Sequence, residues 1–323
     1  EAGTALTTGD ENVAVGYNAL ASEDTGVGSV AIGRNALTAQ NNDANNYNTA
    51  VGYIAGASVT TGTQNTLIGG LTGDALTTGA LNVAVGYGSL TSDDLGSKSV
   101  AIGHSTLANQ NYATATDSFN TAVGHSAGSA VSTGVKNTLI GGTTGQGLTT
   151  GGENVAVGYG ALYTDDLGSH NVAVGVSALQ NQNFATATDS HNTAVGFSAG
   201  LSITTGQNNV VIGGLAGDAL TAVNDNVVVG TGALTSDTLG SGTVAIGRQV
   251  LQTQNFTTAT TSHNTAVGYQ AGLAVTTGTQ NTLIGSISGD ALTDADKNVA
   301  VGYGSLTSDT LGSKSTAIGD SAL

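Results

Sequence analysis

A five-residue phrase, NVAVG at residues 12–16 and close variants of it elsewhere, returns along the whole chain at nearly constant intervals. Its closing glycine occurs 18 times, and the residue number advances by 17 between most neighbouring copies, as from Gly16 to Gly33. The step is 19 after Gly33, and it is 21 after the glycines at positions 103, 175 and 247. A fixed period of this kind is the signature of a repeat architecture, in which each copy forms one unit stacked on its neighbours.

The longer steps divide the copies into rounds of four. Each long step follows three short ones, so a round advances the numbering by 72, or by 70 in the first case. The rounds cover approximately residues 12–81, 82–153, 154–225 and 226–297, with a partial round at 298–323. We therefore expect one continuous repeat domain over residues 1–323.

Each copy predicts one coil of a parallel β-solenoid or β-roll. Val-Ala-Val and Thr-Ala-Val favour extended structure, and the glycine provides the turn that ends the strand. A second brief strand is expected at Ala-Leu, as at residues 19–20. The 50 glycines and the absence of a 3.6-residue apolar period disfavour helix. The prediction is an all-β chain of about 18 coils, each with two short strands and two turns.

The three-residue apolar runs are expected to be buried on both faces. One face fills the interior of the coil. The other needs a second body to cover it, and the small alanine is expected to let that body approach closely. This interpretation favours a homotrimer, and a flattened single solenoid remains the alternative.

Composition excludes several classes of partner and site. The chain has 22 acidic and 6 basic residues, and this net charge of −16 disfavours nucleic acids and anionic membrane surfaces. It has no cysteine, which excludes disulfides and thiolate metal sites. No apolar run is long enough to cross a bilayer, so no membrane insertion is expected. We predict no cofactor and no metal.

Two copies of a serine-hydrolase motif occur within the repeat. GHSAG around Ser126 and GFSAG around Ser198 fit the G-x-S-x-G elbow of serine hydrolases. The same slot holds Ile54 and Gln270 in the other rounds, and no base, acid or following helix accompanies it. The motif is therefore interpreted as a by-product of a Gly-, Ala- and Ser-rich repeat. We predict no catalytic residue and no enzyme activity.

The residues that open and close the phrase are predicted to be structural. Asparagine opens 14 of the 18 copies, and it tolerates left-handed backbone and can form a ladder when stacked at one register. In the first copy of each round these residues are Asn12, Gly16, Asn82, Gly86, Asn154, Gly158, Asn226, Gly230, Asn298 and Gly302.

Other polar residues are given structural or solvent roles. The acidic turns, such as Glu23-Asp24 and Asp93-Asp94, are expected to be solvated turns, with calcium binding the less favoured alternative. The five histidines are expected to be structural or exposed, because their columns vary between rounds. Threonine-rich turns raise an ice-binding alternative, which the absence of a continuous threonine ladder disfavours.

The longer coils offer the best candidates for recognition. Their four extra residues must bulge outward, and each bulge carries an aromatic residue, at Tyr112, Phe184 or Phe256. Exposed aromatics among polar residues suit recognition of a sugar or another chain. The alternative is that each ring covers the neighbouring coil.

The phrases NVAVGYGAL at 154–162, SVAIGRNAL at 29–37 and NTAVGYQAG at 264–272 resemble two families. They are similar to the repeats of YadA-like trimeric adhesin heads, and to repeats in bacteriophage tail-fibre proteins. The resemblance covers essentially the whole chain and implies a trimeric β-roll that attaches to surfaces. It implies no specific binding residue.

The resulting expectation is a structural fibre segment of a phage tail fibre or surface adhesin, located extracellularly or on a virion. Its partners would be further copies of itself and a host-surface glycan or protein. A self-assembling extracellular filament is the alternative, and an ice- or calcium-binding solenoid is a more distant one. An enzyme built on a β-helix is disfavoured because no charged cluster breaks the repeat.

Overall fold

The computed structural model describes residues 1–323, and in it the chain is all-β with no helix. The predicted parallel β-solenoid is confirmed, with one three-residue strand in each of 18 coils. The chain forms two compact units, Glu1–Tyr159 and Gly160–Leu323, and each holds nine coils. No helix long and apolar enough for a membrane span exists in the chain.

The first unit has nine three-residue strands and two shorter ones. Within this unit, neighbouring three-residue strands pair in parallel at equivalent residues, as Val83 does with Val100. The three-residue strands are β1 (Val13–Val15), β2 (Val30–Ile32), β3 (Thr49–Val51), β4 (Thr66–Ile68), β5 (Val83–Val85), β7 (Val100–Ile102), β9 (Thr121–Val123), β10 (Thr138–Ile140) and β11 (Val155–Val157). The shorter strands are β6 (Gly96–Ser97) and β8 (Thr116–Asp117), which pair with each other.

The second unit repeats this plan. Its three-residue strands are β13 (Val172–Val174), β15 (Thr193–Val195), β16 (Val210–Ile212), β17 (Val227–Val229), β19 (Val244–Ile246), β21 (Thr265–Val267), β22 (Thr282–Ile284), β23 (Val299–Val301) and β24 (Thr316–Ile318). Two-residue strands occur only where a long coil lies against the coil before it, in the pairs β12 (Gly168–Ser169) with β14 (Thr188–Asp189) and β18 (Gly240–Ser241) with β20 (Thr260–Thr261).

The interior of the coil is narrow and is filled by small or medium apolar side chains. The middle residue of a strand points inward, so that Ala84, Ala101 and Leu67 are fully buried. This corrects the expectation that alanine faces outward and lets a partner approach. The outward positions are instead the β-branched first and third residues of each strand, which are half-buried or exposed.

The second strand predicted at Ala-Leu is wrong. This segment is a turn, and its leucine has a left-handed backbone, with φ of 51° at Leu20 and 48° at Leu37. The Leu20 amide still donates to the Ala36 carbonyl of the next coil at 3.0 Å. The left-handed turn directs each leucine inward, and both leucines are fully buried.

The asparagines that open the phrase form a buried ladder along each unit. The backbone N–H of Asn82 donates to Oδ1 of Asn65 at 3.0 Å, and the backbone N–H of Asn65 donates to Oδ1 of Asn48 at 2.9 Å. Nδ2 of Asn65 donates to the Gly79 carbonyl at 2.9 Å. Each asparagine thus satisfies a backbone donor of the next coil and a backbone acceptor of its own turn. Backbone groups in a buried turn would otherwise lack partners.

Candidate interaction face and buried polar sites

The outward side of the main sheet is aliphatic at the third position of every three-residue strand and carries valine or threonine at the first position. We call the first and third residues of the three-residue strands the outer face. In the first unit its third positions include Ile68, Ile102 and Ile140, which are 38–40% exposed. In the second unit Ile212 and Ile284 are 37% and 40% exposed. Because the sheet pairs in register, these side chains form continuous rows.

A column of mostly large side chains runs beside the outer face. It consists of the residues that directly follow the repeat glycines, and we call it the post-glycine column. In the first unit, the Tyr87 and His104 rings stack with centroids 5.5 Å apart, and His104 and His125 stack at 5.2 Å. The guanidinium of Arg34 lies 5.9 Å from the Tyr17 ring and 5.7 Å from the Tyr53 ring.

In the second unit this column has fewer large side chains, because Gly214, Thr231 and Ser286 occupy three of its positions. Arg248 lies 5.9 Å from the ring of Tyr269, and the Phe197 and Tyr303 side chains are 59% and 60% exposed. Tyrosine and phenylalanine beside aliphatic rows are typical of protein interfaces, since they present a large apolar area at low entropic cost. Neither unit contains a pocket. The outer face and the post-glycine column therefore suit contact with an extended surface.

The aromatic residues predicted for recognition do not lie on the surface. Tyr112, Phe184 and Phe256 are each only 4% exposed. The Tyr112 hydroxyl donates to the Gly134 carbonyl at 2.9 Å, and burial raises the pKa of that hydroxyl. The prediction that these rings are exposed is wrong, because all three are buried, and the Tyr112 hydroxyl reaches a backbone carbonyl of the next coil. The rings cover the neighbouring coil, which was the alternative.

The serine motifs belong to a turn that recurs in every round. Ser126 and Ser198 have φ of 54° and 51°, and the aligned Ile54 and Gln270 have φ of 60° and 54°. The same left-handed turn thus forms with unrelated side chains. Ser198 is only 6% exposed. The conformation that resembles a nucleophile elbow is therefore a property of the repeat.

The expectation that the acidic turns are solvated is wrong for the first acid of four turns. Glu23, Asp93, Asp165 and Asp237 are fully buried. Oδ1 of Asp93 accepts from the Gly96 amide at 2.9 Å, and its Oδ2 accepts from Nε2 of Gln110 at 2.6 Å. The buried Asp93 carboxylate thus accepts a hydrogen bond from within its own turn. Gln110, which lies 17 residues after Asp93, is the sequence signal that could have indicated this buried contact.

Burial changes the titration of these carboxyls. It raises the pKa of Asp93 to about 6, although the hydrogen bonds from Gln110 and Gly96 lower it and the nearby Asp94 adds a smaller rise. Burial likewise raises the pKa of Asp165 and of Asp237.

We expect the protein to become more stable as the pH falls from 7.5 to 5. The native Asp93 carboxyl has a pKa of about 6 against 3.8 for an unperturbed aspartate, so the native state binds protons more strongly. Its contribution is fully present below about pH 4 and is lost as the pH rises through 6. A shift of this size corresponds to at most about 3 kcal/mol at this residue. Urea unfolding at several pH values measures the effect.

High salt provides the control for this pH dependence. Acidification also relieves general repulsion among the 22 acidic residues, but that contribution is screened at 1 M salt, where the Debye length is about 3 Å. The contribution of the buried carboxyls persists under these conditions. Stability that is equal at pH 5 and pH 7.5 in 1 M sodium chloride would contradict the assignment.

Four of the five histidines form two pairs of neighbouring rings. His104 and His125 stack within the post-glycine column. His170 and His191 lie on adjacent coils with ring centroids 5.1 Å apart and planes tilted by 31°. Nδ1 of His170 lies 3.1 Å from Oδ1 of Asp189. Alignment of equivalent rounds did not predict this contact, because it compares residues one full round apart and not residues on adjacent coils.

Comparison of the chain with protein-family models, with curated proteins and with solved structures finds no match. The features that bear on function are therefore the outer face, the post-glycine column and the buried polar groups.

Proposed function

We propose that the chain is a structural segment of an extracellular or virion-borne fibre, in a phage tail fibre or a surface adhesin, and that the outer face binds further copies of the same chain. The observation that carries the proposal is the row of exposed aliphatic residues beside the post-glycine column. A contiguous exposed apolar surface on a protein commonly marks an interaction site.

The spacing of the rows favours a second copy as the partner. Equivalent side chains on neighbouring parallel strands are about 4.8 Å apart. A surface that fills the gaps between such rows along several coils needs the same period, and another copy of this solenoid has it. Closed cyclic symmetry is the usual arrangement of identical chains, and a trimer agrees with the resemblance to adhesin heads.

Surface attachment in this proposal uses groups left exposed after assembly. Residues 113–115 of the long coil are exposed, and residues 185–187 and 257–259 form equivalent exposed loops in the next two rounds. Stacking of coils gives the fibre stiffness, while these loops provide contacts with a host-surface glycan or protein. Catalysis has no part in this function.

Three lysines on the outer face are expected to prevent self-association. In the variant Ile68→Lys, Ile102→Lys, Ile140→Lys, charges would be buried against an apolar partner surface, where unpaired charges cost several kcal/mol. We expect association to weaken by at least about 100-fold, equivalent to about 2.7 kcal/mol. Sedimentation equilibrium measures the oligomeric state.

A matched variant carries the same charge elsewhere. Thr61→Lys, Thr78→Lys and Thr133→Lys place three lysines on exposed turns of the same unit, and this variant should assemble normally. An unmodified chain that stays monomeric at high micromolar concentration would refute the proposal, and thermal hysteresis in that sample would favour ice binding. Electron microscopy separates rods of fixed length, expected for a fibre segment, from filaments of indefinite length.

A further inference from the structure

Two imidazoles and one carboxylate converge on the long coil of the third round. His170 follows strand β12, whereas Asp189 ends strand β14 and His191 lies two residues beyond it. The parallel pairing of Ser169 with Asp189 places these segments side by side. One ligand atom from each of the three side chains lies within 4.8 Å of the others, and all three residues are exposed.

The second round shows what the same backbone does with different side chains. There the equivalent residues are Lys98, Asp117 and Phe119. Nζ of Lys98 lies 2.6 Å from Oδ2 of Asp117 and 5.1 Å from the Phe119 ring centroid. In the second round, the positive charge beside the aspartate is therefore supplied by the side chain of Lys98.

The backbone at the two places is nearly the same. Lys98 and His170 have φ of 61° and 62°, and Phe119 and His191 both have φ of 50°. In the third round the ammonium and the phenyl ring are replaced by two imidazoles facing the same type of acid, Asp189. The arrangement therefore retains the anionic group and replaces the built-in cation with two nitrogen donors.

We propose that His170, Asp189 and His191 bind a divalent transition-metal ion, with zinc as the representative. Imidazole nitrogen and carboxylate oxygen are zinc ligands at about 2.0–2.2 Å, so two ligand atoms on a tetrahedral ion lie about 3.3 Å apart. His170 Nδ1 and Asp189 Oδ1 are already 3.1 Å apart. Rotation of the exposed His191 side chain brings in the third ligand, and water completes the coordination.

The donor set and the charge of the chain select the kind of cation. Nitrogen donors favour zinc, copper and nickel over calcium and magnesium, which prefer oxygen ligands. The net charge of −16 attracts cations in general. Binding should weaken at acid pH, because protons compete with the metal for imidazole nitrogen.

The test is equilibrium dialysis of the intact protein against zinc chloride at pH 7.5, with bound metal quantified. We expect one zinc ion per chain at this site and no binding of calcium or magnesium there. The variant His170→Lys with His191→Phe installs the side chains of the second round on the same backbone, so it should fold and lose this ion. Zinc should raise the melting temperature of the unmodified protein and not that of the variant.

A second variant distinguishes this site from the other pair of histidines. His104→Arg with His125→Tyr installs the side chains that Arg34 and Tyr53 provide in the first round, and it should retain the bound zinc and the rise in melting temperature. Absence of zinc binding by the unmodified protein would overturn the proposal. Equal zinc binding by the His170→Lys, His191→Phe variant would overturn it as well.

Discussion

Replacement of Gly86 by alanine is expected to unfold the central coils of the first unit and to lower the free energy of unfolding by about 4 kcal/mol. Gly86 has φ of 132°, which L-residues rarely adopt. An added Cβ would lie 2.6 Å from the carbonyl carbon of Gly103 and 3.2 Å from the His104 amide nitrogen. Both contacts are with backbone, so no side chain can rotate away. Because each coil is stabilised by its neighbours, the damage should spread to adjacent coils.

A glycine two residues away provides the matched control. Gly88 has φ of 61°, and an added Cβ would lie 3.9 Å from its nearest neighbour, Oγ of Ser105. Asn18 and Asn35 occupy the same slot in other coils, with φ of 54° and 59°. Gly88→Asn should therefore change the free energy of unfolding by less than about 1 kcal/mol. Urea unfolding followed by circular dichroism compares the two variants. Wild-type stability of Gly86→Ala would show that close glycine stacking does not determine the coil spacing.

The interval between repeat glycines was sufficient to predict the strand pairing. A coil of constant length places each strand on its equivalent, and the longer interval leaves this register intact, since Val100 still pairs with Thr121. Four added residues must then leave the stack as a loop. The repeat lengths alone were therefore enough to predict which strands pair, without any knowledge of side-chain packing.

The conformation at Ala-Leu could not be predicted in the same way. Leucine disfavours left-handed backbone by about 1–2 kcal/mol, so propensity argues against the turn at Leu37. Full burial of a leucine side chain contributes about 1.5–3 kcal/mol, and only the turn directs it into the coil. The burial term exceeds the backbone cost, and this comparison requires the geometry of the stack.

The positions of Tyr112 and Asp93 were mispredicted for a common reason. Both lie in polar segments, and polar segments usually indicate solvent. In this fold the polar segments enclose a buried hydrogen-bond network, in which Nδ2 of Asn120 donates to Oε1 of Gln110 at 2.9 Å and to the Tyr112 hydroxyl at 3.2 Å. A sequence pattern shows which residues are polar, but it does not show that they form hydrogen bonds with one another in a buried loop.

The second large effect is expected from a change of one atom in the asparagine ladder. Asn65→Asp keeps the shape of the side chain but replaces the Nδ2 donor by an oxygen. Nδ2 of Asn65 donates to the Gly79 carbonyl at 2.9 Å and to Oδ1 of Asn48 at 3.2 Å. The variant would place a buried negative charge against two acceptors, and an uncompensated buried charge costs about 3–5 kcal/mol.

The pH dependence of Asn65→Asp separates electrostatics from packing. Burial would raise the pKa of the new carboxyl, and its protonated form can again donate to the Gly79 carbonyl. The loss of stability relative to the unmodified protein should therefore be largest at pH 8 and should shrink as the pH falls towards 4. Asn111→Asp adds the same charge at an exposed position and should change the free energy of unfolding by less than about 0.5 kcal/mol at either pH. A pH-independent loss in Asn65→Asp would mean that the ladder contributes through shape and not through its hydrogen bonds.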